Sequence, residues 1–387
     1  MIAFVEKHTA LQIPKKMPKY CFRFEFANAV IYRFNIKDVY LRNNSTNIIR
    51  ILMQKKVEAT NIAIIGGGSW ATALVKILSE NNVRINWWLK NQKDVEHILS
   101  FGKNPTYLSD VAIDRKKVTP TTNVLKALEG ASVVIFVVPA AFIGDVLGNI
   151  SAADLKGKII VSAIKGMIPL ENILVTDLLQ QKHAVPSKQI CVIAGPCHAE
   201  EVALEKRSYL SIAGEDSTAA TVVADLLQCR YVKATVVEDL YGVEYCAVMK
   251  NIIAIACGIA RGLNYGDNFQ AVLVSNAMLE IELFVDAVVK KDRNWNASAY
   301  LGDLLVTCYS PYSRNRTLGN MVGRGYSVKA AQVEMNMIAE GYYAVKCVYE
   351  INKTLGVEMP ITKAVYNILY EKISPSVELR ILEDSMC

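Results

Sequence analysis

Two charged positions in the second half of the chain stand where packing alone would not put them. Lys250, followed by Asn251, interrupts the apolar run AVMKNIIAIACGIA, and an ammonium buried there is costly unless an anion pairs with it. Snorkelling of the lysine to the surface is the other way to satisfy that pattern. Asp303 sits between apolar segments in YLGDLLVTC, a setting in which a carboxylate often meets a buried cation, so Lys250 with Asp303 is a candidate tertiary pair. Further on, Ser313, Arg314 and Asn315 combine planar charge with neutral donors, which suits a phosphate; an ordinary polar turn has the same composition.

A second piece of chemistry lies upstream, in NIAIIGGGSWATAL (61–74). Ile62 to Ile65 reads as a buried parallel strand and Ser69 to Leu78 as the helix after it. Gly66 and Gly68, with Ala71 as the third small position, have the G-x-G-x-x-G/A spacing that permits a tight turn, close approach of a pyrophosphate and close helix packing. A pyrophosphate there meets unpaired N–H groups at the positive end of a helix. Glycine turns that merely reverse the chain share this spacing, so the loop alone does not decide the matter.

The elements that must position these residues follow from residue 60 onward, where strand and helix patterns alternate. Val83 to Leu89, Val133 to Val138, Lys158 to Ile164 and Gln189 to Ala194 read as further strands, with Tyr209 to Ala213 and Tyr231 to Val237 as extensions of the sheet. Strands separated by helices imply parallel crossovers in a doubly wound α/β sheet, with ligands at the carboxyl ends of the strands, where Lys90, Pro139, Lys165 and Gly195 fall. Near Asp239 the pattern changes. Asp239 to Ala260, Asn268 to Lys290, Val328 to Gly356 and Ile361 to Lys372 carry helical periodicity with almost no strand signal between them, which implies an all-helical C-terminal domain. The expected division is a basic extension at 1–58, a dinucleotide-binding domain at 59–244 and a helical substrate domain at 245–387.

Composition agrees with two domains in a chain of 387 residues with 52% hydrophobic content. No window holds the ~18 uninterrupted apolar residues of a membrane span, so a soluble protein without a membrane segment is expected. Nine cysteines without a C-x-x-C pair favour reduced thiols in a cytoplasm, and with only four histidines no metal centre is expected. The net charge of +6 is local: residues 1–60 hold 11 Lys/Arg against 4 Asp/Glu, and the remainder holds 32 against 33. A nucleic-acid partner is therefore not expected. The basic segment reads as a disordered extension, or as sequence upstream of a true start near Met53.

Taken in order, these motifs resemble the NAD(P)-dependent glycerol-3-phosphate dehydrogenase family in its bacterial form, from about Asn61 to Ile373. The resemblance is carried by GGGSWATAL, Ala163 to Gly166, the segment Ala194-Gly195-Pro196-Cys197-His198-Ala199-Glu200-Glu201, Gly242-Val243-Glu244, MKNIIAIACGIARGLNYGDN, LGDLLVTCYSPYSRNR and Ala339-Glu340-Gly341. The family interconverts dihydroxyacetone phosphate and glycerol 3-phosphate, moving a hydride between a nicotinamide and substrate C2. The resemblance implies that Lys250 is the acid/base group at the C2 oxygen, that Lys165 orients substrate and cofactor, and that Asp303 is the acidic member, with Asn251 and Thr307 completing its hydrogen bonds. Ser313, Arg314 and Asn315 are then the phosphate ligands, with Gly195 and Cys197 lining the substrate pocket. Gly66, Gly68, Ser69, Trp70, Lys90, Asn91, Tyr107, Lys165, Ala199, Arg314, Ile338 and Glu340 match positions that contact cofactor. A homodimer supplying glycerophospholipid synthesis is implied as well.

The chain departs from the family pattern in three places. Cys197 replaces a hydroxyl residue, and a thiol is a poorer donor. Ala297 to Leu301 replaces a more glycine-rich approach to Gly302, and Lys90-Asn91 stands where Arg is common. No Asp or Glu occurs at 86–90 to take a ribose 2′-hydroxyl, whereas Lys90 suits a 2′-phosphate, so NADP is favoured over NAD. Two other classes compete with this expectation. A ketopantoate-type or hydroxyacid reductase shares the glycine loop and the lysine but not GDN followed by SRN. A redox-sensing regulatory module would have no need of the lysine or the phosphate ligands.

Overall fold

Alternation of side chains along β1 (Thr60–Ile65) dictates a three-layer arrangement. Ile62 and Ile64 enter one apolar layer, Ala63 and Ile65 enter the other, and all four are fully buried. Seven further strands complete the sheet: β2 (Val83–Trp88), β3 (Val118–Thr121), β4 (Val133–Phe136), β5 (Ile159–Ser162), β6 (Ile190–Ala194), β7 (Ser208–Gly214) and β8 (Val232–Val237). Their order is β3-β2-β1-β4-β5-β6-β7-β8. The computed structural model describes residues 59–335 and 338–386. The basic segment 1–58 and the start expected near Met53 lie outside the described residues.

Parallel pairing runs from β3 to β6, with Ile62 opposite Ile85 on one side and Val133 on the other. Two features differ from the sequence expectation. β6 and β7 are antiparallel, Ile193 lying opposite Ile212, so that β7 and β8 run against the rest. Only the short α2 (Ala199–Ala203) lies between β6 and β7, too little chain for the crossover a parallel pair needs. β3 was absent from the expected strands because VTPT carries a proline, which is tolerated here at the sheet edge.

Five helices, with α2, frame the site: α1 (Ser69–Ser79), α3 (Leu240–Gly262), α4 (Asp267–Val288), α5 (Asp303–Tyr309) and α6 (Arg314–Gly323). A further helix, α7 (Glu340–Leu355), begins where a single helix from 328 to 356 was expected; the chain instead forms Val328–Glu334, breaks, and restarts at Glu340. The break has a physical basis, because the Gly341 N–H donates to Asn315 Oδ1 at 2.9 Å and Glu340 turns its carboxylate towards the Ala140 N–H, also at 2.9 Å. The helix expected to Lys372 changes at Tyr366 into a π turn, Asn367–Glu371, and Pro375–Ser385 adds a helix that was not expected.

α3 runs through the core of the described residues. With 23 residues and a mean hydropathy of 1.6 it has the length and composition of a membrane span, yet its apolar stretch is buried within the protein, with Arg261 near its end exposed. It packs on β6 and β7 and also on α4, α5, α6 and α7, so residue 244 falls inside a continuous helix. α6 crosses it at backbone contact: a Cβ on Gly258 would strike the Arg316 carbonyl, and one on Gly319 the Ile255 carbonyl. That close approach fixes the start of α6, where Arg314 and Asn315 lie, relative to Lys250 on α3.

Candidate active site

The glycine loop is built as its spacing requires. Gly66 has φ +140°, and a Cβ there would overlap the Val137 carbonyl; a Cβ on Gly68, by contrast, would point into open space. Two side chains outside the motif hold the loop. Trp87 Nε1 donates to the Gly66 carbonyl at 2.7 Å, and Asn104 Nδ2 donates to the Gly67 carbonyl at 3.0 Å and to Thr72 Oγ1 at 2.9 Å. Asn104 escaped the sequence reasoning because an Asn before Pro signals only a turn. α1 has no side chain capping its first turn, so its N–H groups face the loop.

Lys250 and Asp303 meet. Nζ donates to Oδ1, with the side chains 5% and 3% exposed, and the other carboxylate oxygen accepts from the Gly195 N–H at 3.1 Å. α3 supplies the lysine, the first turn of α5 the aspartate, and the end of β6 the amide. Burial pushes the Lys250 ammonium down to about 8; Asp303 works against that shift and Lys165 adds to it. The expected partners of Asp303 bond elsewhere. Thr307 Oγ1 donates to the Asp303 backbone carbonyl at 2.6 Å, and Asn251 Nδ2 donates to the carbonyls of Lys165 at 2.7 Å and Ala247 at 3.3 Å. Gly195 therefore does the work assigned to Asn251 and Thr307, a contact invisible in sequence because the donor is backbone.

Lys165 follows β5 and places Nζ over the Trp70 ring, 5.3 Å from its centroid. Arg314 reaches from α6 to donate to Ser69 Oγ at 3.2 Å, linking the phosphate candidates to the glycine loop across 245 residues. Ser313 caps α6, its Oγ accepting from the Arg316 N–H at 3.3 Å. Burial lowers the Arg314 guanidinium, against which Glu200, Tyr107 and Glu340 act. Cys197 is buried and its thiol is pushed up to about 11, so it stays neutral. Ala199 opens α2 and is buried, while Ile338 is half-buried just before α7. Lys90 and Asn91 are exposed beyond β2; Lys90 Nζ lies 5.9 Å from the Phe142 ring centroid, and Asn91 bonds Asp94 at 3.2 Å, so these two stand apart from the buried cluster.

Whether a dinucleotide fits can be judged from orphaned polar atoms. Among the described residues, Glu340 Oε2 and Trp70 Nε1 are buried without partners, Glu340 closes on Gly166 too tightly for a Cβ there, and burial pushes its carboxyl up to about 7. A ligand carrying amide and hydroxyl groups between α1, the Lys165 loop and α7 satisfies such atoms. The sheet, loop and buried lysine thus define a dehydrogenase that binds a dinucleotide on a Rossmann-type domain and closes its site with helices. The N-terminal family of NAD-dependent glycerol-3-phosphate dehydrogenase matches residues 61–220, and the C-terminal family of the same description matches 239–380. The chain belongs to the NAD-dependent glycerol-3-phosphate dehydrogenase family. It is 36% identical over 322 residues to glycerol-3-phosphate dehydrogenase [NAD(P)+] of an Exiguobacterium species, covering 83% of this chain and 94% of the relative. The enzyme of the same name from Staphylococcus carnosus is 32% identical over 330 residues, 84% and 97% of the two chains. The crystal structure of glycerol-3-phosphate dehydrogenase from Coxiella burnetii, 29% identical, superposes with a TM-score of 0.79 over 84% of this chain and 98% of that one.

Proposed function

We propose that this chain interconverts dihydroxyacetone phosphate and sn-glycerol 3-phosphate. One observation carries the reading: the Lys250–Asp303 pair is buried at the carboxyl end of β6, in reach of Lys165, with Arg314 bridging from α6 to the glycine loop. A bound nicotinamide dinucleotide supplies or accepts the hydride at C2. Lys250 Nζ donates a proton to the C2 oxygen in reduction and takes it back in oxidation; a pKa of about 8 keeps both forms accessible. Asp303 holds that ammonium in place, and Lys165 adds positive charge beside the developing alkoxide. Ser313, Arg314 and Asn315 take the phosphate, with Gly195, Cys197, Asn251 and Thr307 shaping the substrate pocket.

The cofactor side comprises Gly66, Gly68, Ser69, Trp70, Tyr107, Lys165, Ala199, Arg314, Ile338 and Glu340. Lys90 and Asn91 lie at the open end, where an exposed ammonium with no ion pair among the described residues favours NADPH over NADH. Residues 59–244 then serve the dinucleotide and 245–387 the substrate, with α3 common to both. Family likeness supports a cytoplasmic homodimer feeding glycerophospholipid synthesis. A cofactor-oxidation assay with dihydroxyacetone phosphate tests the reading: turnover is expected, with a higher kcat/KM for NADPH than for NADH. Absence of turnover with either cofactor contradicts the assignment, and a clear NADH preference removes the role given to Lys90.

A further inference from the structure

The substrate has three polar ends, and the residues above take only two of them. Phosphate falls to Ser313, Arg314 and Asn315, and the C2 oxygen to Lys250; the C1 hydroxymethyl is left without a partner. Asn251 and Thr307 have committed their donors to backbone carbonyls, so neither has a donor left for the C1 oxygen.

His198 stands near both assigned ends. It directly follows Cys197 and precedes α2, and the charges that act on its ring are Lys165, Lys250 and Asp303. Its ring faces Tyr312, 6.3 Å between centroids, next to the Ser313–Arg314 turn. Nε2 is buried and has no hydrogen-bond partner among the described residues. In a neutral ring, the tautomer that carries its proton on Nδ1 presents Nε2 as a bare acceptor. Burial, with the two lysines, also lowers the imidazole to about 4, so the ring is neutral at working pH.

We propose that His198 Nε2 accepts a hydrogen bond from the C1 hydroxyl of the three-carbon substrate and so selects a hydroxymethyl end. The proposal rests on the function assigned above. An acceptor-only nitrogen is satisfied by a hydroxyl, whereas an aldehyde or carboxylate at C1 opposes one lone pair with another, and a methyl leaves Nε2 buried and unpaired.

The test compares kcat/KM for dihydroxyacetone phosphate with that for hydroxyacetone phosphate, the same molecule without the C1 hydroxyl, in the full chain and in His198→Leu and His198→Gln. The leucine variant is expected to lose about 10–100-fold on dihydroxyacetone phosphate while staying within about threefold on hydroxyacetone phosphate; glutamine, which retains an acceptor, recovers part of the loss. A merely structural role lowers both substrates together, so an equal loss, or none, overturns the proposal. Dinucleotide binding by the variants at unchanged affinity shows that they fold. If the unaltered chain reduces dihydroxyacetone phosphate and the discrimination survives in His198→Leu, only the His198 inference fails; if the unaltered chain does not reduce it, the functional reading fails with it.

Discussion

Asp239–Arg293 and Lys250–Asp303 are both buried ion pairs that fasten α3 to the chain between 293 and 303, yet they are built in opposite ways. Asp239 accepts from Arg293 Nε at 2.7 Å and Nη2 at 3.2 Å, from the Tyr300 hydroxyl at 2.8 Å and from the Gly242 N–H at 3.3 Å, while Arg293 Nη1 also reaches Asp286 at 2.6 Å. Burial tends to lower the guanidinium, but its bonds to Asp239 and the charges of Asp239 and Asp286 outweigh that and raise it. Lys250 Nζ has Asp303 as its one hydrogen-bond partner among the described residues, and its ammonium is pushed down. A fork of five donors can saturate its carboxylate; a single ammonium retains protons and a titration near neutrality. The first pair is built to hold a helix end, the second to exchange a proton.

Substitutions that separate these roles test the contrast. Lys250→Ala is expected to lower kcat by up to about 10⁴-fold while dinucleotide binding, followed by fluorescence titration, stays measurable. Near-normal turnover would remove the distinction altogether. Arg293→Ala strands the Asp239 charge in the interior and is expected to cost about 3–5 kcal/mol in urea unfolding, with the activity of the folded fraction largely retained. A specific loss of turnover at unchanged stability would show that the saturated pair is chemical after all.

Much of the site was legible in the sequence because its residues violate packing rules. A lysine inside an apolar helix and an aspartate between apolar segments invite each other as partners, and the glycine loop announces its turn through the spacing of Gly66, Gly68 and Ala71. What stayed hidden depends on backbone groups or on helix starts. The Gly195 N–H on Asp303, the Ala140 N–H on Glu340 and the Gly341 N–H on Asn315 have donors that every residue except proline carries. The reversal of β7 and the break before α7 were missed for a related reason: periodicity reports which face is apolar, not strand direction or where a helix restarts. His198 was visible within its motif, but only the structure isolates its Nε2.

The pH dependence of kcat/KM, measured in both directions, tests most directly whether Lys250 is the exchanging member. Reduction needs the ammonium and oxidation the free amine. With the Lys250 pKa lowered to about 8, reduction should fall as pH rises through that value and oxidation should rise through it. Flat profiles between pH 7 and 9 in both directions would contradict the account.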